Sequence, residues 1–356
     1  MNNQLTLLVF LKDRASFTKR LFDYLSKVQY PFPVLFADGS IEDENELFFN
    51  EVKFADFSYQ YIRYPKDERL SDYYEKCVSA IEKVKTPYVM LADNDDFPII
   101  DGQLKALDFL NSHPDYIGCN GRVGGVIVNP VSHHASGNNV LYLPYYCPMM
   151  DVPVPLDQDT AIRRIQSYLR NFYSFYYAIY RTENMANTLE KIREFNFSDL
   201  GIVELFFSYM KLAQGKVHTI DSLTYLRQKG SSQAAASQKD WFHRLFYTNW
   251  LPDLKIALRY TAEIISHNES TDIHKTYDQL YEDFLNRFRQ RFIPNGFYFY
   301  KNPQLIFNKI FLSHYLLNKI FKLSPKLGEQ IGFYSLNKQT PPLNLETIRD
   351  IILIKP

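Results

Sequence analysis

The first hundred residues alternate between short apolar runs and segments with helical apolar spacing. Four runs are apolar on both faces or nearly so and predict strands, at 5–11, 33–40, 59–65 and 88–92. Apolar side chains that recur on one face predict helices between them, at 16–28 and 71–84. Strands that alternate with helices indicate βαβ units around a mostly parallel sheet. The predicted fold class is therefore α/β.

After about residue 116 the pattern is looser. Glycine-bearing apolar segments predict short strands at 116–129 and 139–146, and a final strand pair is predicted at 217–228. Another strand is predicted at 176–181, with helices at 160–172, 182–195 and from about 201 to Gly215.

A polar, low-complexity stretch at 229–238 marks the expected domain boundary. We expect one α/β domain over 1–235, with halves of about 1–100 and 101–235. Residues 236–356 form a mainly helical, aromatic-rich extension in this prediction.

The composition of the chain argues against several classes of protein. Lys plus Arg and Asp plus Glu both number 40, so net charge indicates no nucleic-acid partner. The three cysteines are far apart and form no CxxC, which argues against a disulfide framework or a zinc site and favours a reducing compartment. The first apolar run is too short for a signal peptide or a transmembrane span. We therefore expect a cytoplasmic protein.

Three acids, Asp93, Asp95 and Asp96, directly follow the apolar run 88–92. Parallel sheets bind ligands beyond the carboxyl ends of their strands. Clustered carboxylates suit Mn²⁺ or Mg²⁺, which bridge phosphate oxygens and offset the repulsion between the acids. A solvated turn is the alternative interpretation.

Two segments, "VLFADGS" (34–40) and "YVMLADNDDF" (88–97), follow one another along the chain, and each joins an apolar strand to an aspartate. In this order they resemble motifs of GT-A glycosyltransferases, closest to the large family-2-like group of inverting enzymes. "VLFADGS" is similar to the family's "VVDDGS", and "YVMLADNDDF" to its strand that ends in DxD. The resemblance implies that Asp38 binds the nucleotide, and that Asp93 lies near the ribose and donor sugar. It further implies that Asp95, together with Asp93, holds the metal, and that Asp96 extends the motif.

"DLGIVELFFSYMKLAQGK" resembles the family's "ED…LxxRxxxxG" helix. The match implies that Glu204 is the general base, with Val203 in place of the motif's first acid. Asp199 is the alternative base, although "FSD" also predicts a helix N-cap. A surface acid or a capping group is the alternative interpretation of Glu204.

"YLRQKGSSQ" resembles the family's closing "YRxHxxSxS" segment and implies that Arg227 lies near the diphosphate. Gln228 and Lys229 stand where the family often has a histidine. The alternatives are structural: Arg227 as an ion-pair partner and Asp38 as a residue that shapes the turn before Gly39.

Three further features remain candidates only. His133 and His134 lie in a loop-like stretch and are expected to be solvated. The aromatic run 171–181 is typical of a core, and one or two of its rings are candidates to stack on an acceptor. Residues 301–326 hold five lysines and no acid. They predict a basic amphipathic helix, which either packs on the catalytic domain or rests on an anionic membrane surface.

The resemblance implies a metal-dependent, inverting transfer of a sugar from a nucleoside-diphosphate sugar, foremost a UDP-sugar. The implied acceptor is a hydroxyl of a glycan or lipid-linked glycan, as in surface polysaccharide biosynthesis at the inner face of a membrane. One rival hypothesis is a nucleotidyltransferase that makes nucleotide-sugars, although "LKDRASF" lacks the glycine-rich phosphate loop expected for it. The other rival is a non-catalytic sugar-binding or scaffold protein with a degenerate site.

Overall fold

The computed structural model of the protein describes residues 3–127, 142–144, 154–171, 175–229, 249–292 and 333–335. In the first part of the chain its strands are β1 (Leu5–Leu11), β2 (Val34–Asp38), β3 (Tyr59–Arg63), β4 (Tyr88–Asp93) and the short β5 (Phe97–Pro98). The helices between them and directly after them are α1 (Ala15–Lys27), α2 (Glu44–Glu51), α3 (Leu70–Ile81) and α4 (Ile100–Ser112). The predicted α/β fold and its first four strands are confirmed. Helices α2 and α4 were not predicted.

The first four strands are parallel, in the order β4-β1-β2-β3. Residues of β1 alternate between two apolar cores: Leu8 and Phe10 pack on one side of the sheet, and Leu7 and Val9 on the other. This alternation follows from the two-residue period of a strand that is buried on both faces. The result is a three-layer α/β/α arrangement, in which both faces of the sheet are covered by helices.

The second part of the sheet is mixed. It contains β6 (Tyr116–Ile127), β7 (Tyr142–Pro144), β8 (Ile179–Arg181), β9 (Lys216–Lys229) and β10 (Phe333–Ser335). Strand β8 runs antiparallel to both β4 and β6, and it therefore joins the two parts. Strand β9 is parallel to β6 and antiparallel to β5. The pairing of β9 with β5 brings the end of β9 beside the acidic turn, which carries Asp93, Asp95 and Asp96.

Two strand predictions were wrong in detail. Segment 116–129 was expected to form short strands with glycine turns, but β6 is continuous over its described length, and β9 is one strand and not a pair. The glycines of β6 permit close packing and not turns. A Cβ at Gly118 would lie 2.6 Å from the Tyr180 ring, and one at Gly124 would lie 2.5 Å from Leu226.

The remaining described helices are α5 (Ala161–Asn171), α6 (Thr182–Phe195), α7 (Leu200–Gln214), α8 (Trp250–Glu269) and α9 (Ile273–Phe292). Trp250 and Leu254 of α8 are buried in the same core as α7. The start of the helical extension thus packs directly on the α/β part, and the boundary at 229–238 stays a prediction, since most of that stretch lies outside the described residues. No helix in the described ranges combines the length and the apolar character that a membrane crossing requires.

Candidate functional site

The parallel strands bring two predicted site residues to one edge of the sheet. In the register of the sheet, Asp93 lies beside Phe10 of β1, and Asp38 lies beside Leu11. Asp93 ends β4 and Asp38 ends β2, so the two acids flank the end of β1. Strands lie about 4.8 Å apart, which places their backbones roughly 10 Å from each other. This is the edge at which a parallel sheet presents its ligands.

The three acids at the end of β4 form one cluster. Carboxylate oxygens of Asp93, Asp95 and Asp96 lie within 4.8 Å of one another. The turn between β4 and β5 folds all three toward the same point, and Asp95 and Asp96 are buried. Carboxylates this close repel one another, and the structure offsets that repulsion with cations and hydrogen-bond donors from distant parts of the chain.

Two tyrosines hold Asp93. The hydroxyl of Tyr177 donates a hydrogen bond to its carboxylate at 2.5 Å. The backbone N–H of Asp93 donates to the hydroxyl of Tyr225 at 3.0 Å. The two rings are stacked, with centroids 4.4 Å apart, and the Arg227 guanidinium lies 5.0 Å over the Tyr177 ring. Burial raises the pKa of the Asp93 carboxyl, while the hydrogen bond from Tyr177 opposes that shift.

Asp96 is held by β9. The backbone N–H of Gln228 donates to its Oδ1 at 2.8 Å, and Nε of Arg227 lies 3.8 Å from its Oδ2. Burial raises the pKa of Asp96 well above its usual range, and the charges of Asp93 and Asp95 raise it further. The structure therefore brings the predicted Arg227 to the acid cluster. Gln228, one of the two residues that stand where the family often has a histidine, contributes its backbone N–H.

Two arginines of the β1–α1 region complete the surroundings of the cluster. Arg14 Nη1 lies 3.0 Å from Asp95 Oδ2, and Arg20 donates to the Asp95 carbonyl oxygen at 3.0 Å. The Arg20 guanidinium also lies 5.1 Å over the ring of Phe97, and burial lowers its pKa to about 10. Neither arginine was predicted to belong to the site. The available signal was the position of Arg14 just beyond β1, the strand next to the one that carries the acids.

Asp38 is fully enclosed by its own neighbours. Its Oδ1 accepts hydrogen bonds from the hydroxyl and the backbone N–H of Ser40, the latter at 2.9 Å. Its Oδ2 accepts from the Tyr61 hydroxyl at 2.6 Å and from Arg63 at 2.8 Å. The residue is 0% exposed. In this conformation the carboxylate holds the end of β2 together, and its contact with a donor stays a prediction.

A buried ion pair that was not predicted lies next to Asp38. Nζ of Lys76 bonds the Asp67 carboxylate and donates to the Leu11 carbonyl oxygen at 2.7 Å. Lys12 donates to the Asp67 carbonyl oxygen at 2.6 Å. A Cβ at Gly39 would overlap the Asp67 carboxylate, so the Asp-Gly-Ser turn needs glycine for close approach.

The two candidate bases lie on α7 but differ in their surroundings. Asp199 is the N-cap, and its side chain accepts hydrogen bonds from the backbone N–H groups of Gly201 and Ile202, at 2.8 and 3.3 Å. Glu204 is exposed in the following turn. Burial raises the pKa of the Tyr176 phenol, and the charges of Asp93 and Glu204 add to that shift. Tyr176 thus lies within the electrostatic reach of both the acid cluster and Glu204.

The donor atoms of the cluster suit a hard divalent cation. All three side chains offer carboxylate oxygens, and Oδ2 of Asp96 is buried without a hydrogen-bond partner among the described residues. Oxygen ligands of this kind are those that Mg²⁺ and Mn²⁺ prefer. His133, His134 and the basic segment 301–326 lie outside the described residues. Of the aromatic run 171–181, residues 172–174 also lie outside them, whereas Phe175, Tyr177 and Tyr180 are buried.

Comparison with known proteins rests on structure. No family model matches the sequence, and no curated protein matches it. Among solved structures, a fragment of S. aureus TarS (residues 1–349) in complex with UDP-GlcNAc superposes with a TM-score of 0.53 at 15% identity, over 92% of this chain and 82% of that one. The same fragment with UDP gives 0.51 at 15% identity, over 98% and 88%. The longer TarS structure gives 0.50 at 14% identity, over 80% of this chain and 43% of that one.

At this low sequence identity, the superposition shows a shared fold only. The chemistry has to be inferred from the residues of the site. The likeness extends over most of the chain, and it includes the mostly parallel sheet with its flanking helices. The likeness confirms the fold that the motifs predicted, because the chain has a GT-A-like fold.

Proposed function

We propose that this protein is a metal-dependent, inverting glycosyltransferase that takes a sugar from a nucleoside-diphosphate sugar, foremost a UDP-sugar. The observation that carries the proposal is the acid cluster at the ligand edge of a GT-A sheet, with Arg227 beside it. The TarS structures with UDP and UDP-GlcNAc support a nucleotide-sugar donor through their shared fold.

Asp93 and Asp95 would hold the cation, Mn²⁺ or Mg²⁺, with Asp93 also close to the ribose and donor sugar. A bound cation would offset the charge that develops on the leaving nucleoside diphosphate. Tyr177 and Tyr225 keep the Asp93 carboxylate and backbone in place before the donor arrives. Such pre-organisation is what an electrostatic site requires.

Arg227 would bind the diphosphate of the donor. Its guanidinium is anchored over the Tyr177 ring and stays about one-third exposed, so it can reach a ligand while the ring fixes its plane. Asp38 stays in the proposal as the acid that borders the nucleotide. Its four hydrogen bonds make it an organiser of Ser40, Tyr61 and Arg63 at that border.

Glu204 is proposed as the general base that removes the proton from the attacking hydroxyl. Its exposed carboxylate can meet an acceptor, and its charge, like that of Asp93, raises the pKa of the Tyr176 phenol. Asp199 is a weaker candidate, since its carboxylate already caps α7. In-line attack from the side opposite the diphosphate inverts the anomeric configuration.

The acceptor is proposed to be a hydroxyl of a glycan or a lipid-linked glycan, in surface polysaccharide biosynthesis. Cytoplasmic location and peripheral contact of residues 301–326 with the membrane complete this hypothesis. Both proposals, on location and on membrane contact, rest on the sequence and on what is usual in the family that the motifs resemble. A vesicle-sedimentation assay with anionic and neutral lipids, on the full chain and on a variant with neutralised lysines in 301–326, tests the membrane contact.

Parallel incubations with different substrates separate the rival functions. Purified protein is incubated with Mn²⁺ and a panel of UDP-, GDP- and dTDP-sugars, and release of the nucleoside diphosphate is measured. Donor-dependent release that EDTA abolishes supports the transferase. Pyrophosphate release from a sugar phosphate and a nucleoside triphosphate would support the nucleotidyltransferase. Absence of turnover and of metal-dependent nucleotide binding would support the non-catalytic alternative.

Glu204→Gln tests the proposed base within the same experiment. The amide keeps the size of the side chain and cannot accept the proton, so we expect retained donor binding and a loss of transfer of about 10²–10⁴-fold. Near-full activity of Glu204→Gln, together with loss in Asp199→Asn, would move the assignment to Asp199.

A further inference from the structure

The turn that follows β1 has an unusual backbone. Asp13 and Arg14 are consecutive residues with positive φ, at 56° and 55°. Residues other than glycine rarely adopt this left-handed region, and they persist there only where the surrounding structure holds them. The surrounding structure holds the turn: the Asp13 carboxylate accepts hydrogen bonds from the backbone N–H groups of Ile41 and Glu42, at 2.8 and 3.1 Å. The strained turn determines where the Arg14 side chain starts.

From this turn Arg14 reaches across to the acid cluster. Its Nη1 donates to Asp95 Oδ2 at 3.0 Å, and its Nη2 lies 3.4 Å from Asp95 Oδ1. Nη2 also donates to the side-chain oxygen of Asn94 at 2.6 Å, while the Asn94 amide donates to the Thr18 hydroxyl at 3.0 Å. Arg14 therefore contacts both oxygens of the Asp95 carboxylate, and Asn94 fixes the orientation of the guanidinium.

Arg14 has a specific role among the charges of the acid cluster. Among the described residues, two guanidinium groups bond or pair with the side chains of the three acids, Arg14 with Asp95 and Arg227 with Asp96. Arg20 adds a third positive charge that acts on Asp95 and Asp96, but its hydrogen bond goes to the Asp95 backbone oxygen. A divalent cation needs the same Asp95 oxygens that Arg14 engages, and a cation and a guanidinium at that carboxylate repel each other.

We propose that Arg14 is the resident counter-ion of Asp95 and competes with the divalent cation for that carboxylate. The cation binds fully only when Arg14 releases Asp95. The Arg14 side chain is about 29% exposed, so its guanidinium has a route out of the cluster and can exchange Asp95 for a bound diphosphate, a bidentate partner that guanidinium groups favour. The protein alone thus binds the cation weakly, and the donor and the cation bind together. This inference rests on the proposed function, because the cation is the one assigned there to the donor.

The test measures binding of Mn²⁺ alone to the full chain, without nucleotide, by electron paramagnetic resonance of the free ion. Arg14→Gln removes the competing charge, and we expect its Kd for Mn²⁺ to fall at least tenfold relative to the unchanged protein. Arg14→Lys keeps the charge but loses the two-pronged contact, so its Kd should lie between the two. The matched control is Arg69→Gln, which removes an exposed arginine that pairs with Asp72, and its Kd should be unchanged.

Thermal unfolding of each variant shows whether it is folded. An unchanged or weaker Mn²⁺ affinity in folded Arg14→Gln overturns the inference, as does the absence of any binding by that variant. If Arg14→Gln does not fold, Arg14→Lys decides, and an affinity equal to that of the unchanged protein overturns the inference. The proposed function fails separately, through absent UDP binding and absent turnover, which leave the Mn²⁺ titration interpretable.

Discussion

The backbone N–H of Gln228 donates a 2.8 Å hydrogen bond to the carboxylate of Asp96, 132 positions earlier in the chain. This bond exists because β5 and β9 pair, with Phe97 opposite Leu226. The pairing carries Arg227 to the same acid and stacks Tyr225 against Tyr177. The acidic turn is therefore built jointly by two distant parts of the chain.

Tyr177→Phe should weaken the site without unfolding it. The ring keeps its stacking on Tyr225, but the Asp93 carboxylate loses a donor. A hydrogen bond to a charged group is worth about 1.5–3 kcal/mol, so we expect turnover to fall roughly 10- to 100-fold. Steady-state kinetics at saturating donor and Mn²⁺ measure it, with Tyr277→Phe on α9 as control. An unchanged rate would show that Asp93 needs no positioning by this phenol.

Asp199 should prove to be a capping residue. Asp199→Ala removes the acceptor for two backbone N–H groups at the start of α7 and should lower the free energy of unfolding by about 1 kcal/mol. Asp199→Asn retains an N-cap acceptor and should cost only a few tenths. Urea denaturation measures both. If Asp199→Asn keeps its stability and loses transfer, the residue is catalytic and not merely a cap.

The buried pair of Lys76 and Asp67 should be costly to break. Both side chains are 1% exposed, so Lys76→Met leaves an uncompensated buried carboxylate and should cost about 3–5 kcal/mol in the free energy of unfolding. The double variant Asp67→Leu/Lys76→Met should recover much of that loss. Lys191→Met, in the exposed pair with Glu194, is the control and should cost less than about 1 kcal/mol. A double variant as unstable as the single one would contradict the argument.

Stability should decline on mild acidification, in part through His218. Burial lowers the pKa of this imidazole below its ordinary 6.5, and neighbouring His113 lowers it further while Asp157 opposes the shift. The unfolded chain then binds the proton more tightly than the folded one, so this contribution is complete above pH 6.5. It is lost as the pH falls from there toward the lower pKa of the folded state.

Chemical denaturation at several pH values between 5 and 8 measures this effect. His218→Gln should flatten the pH dependence of the free energy of unfolding, whereas His267→Gln, at an exposed position on α8, should leave it unchanged. Equal slopes in His218→Gln and the unchanged protein would assign the acid sensitivity to other groups.

Local patterns were sufficient for the four parallel strands of the first half of the fold. Strand β1 matches its predicted span, and β4 extends one residue further, to Asp93. Buried parallel strands have apolar runs that are visible in a single sequence. Helix α2 escaped prediction because its buried residues include Asn45, so its apolar periodicity is weak. The glycines of β6 were misinterpreted, because close contact with a neighbouring ring or strand leaves no local signature.

By itself, the sequence determined that the chain contains βαβ units, that an acid cluster follows a buried strand, and which motifs resemble a nucleotide-sugar site. These properties depend on neighbouring residues, so they can be recognised locally. Only the tertiary structure decided what surrounds the acids: Arg14 on Asp95, Tyr177 on Asp93 and Gln228 on Asp96. Long-range strand pairing sets those contacts, and it brings together residues whose separation along the chain carries no information about their distance in space.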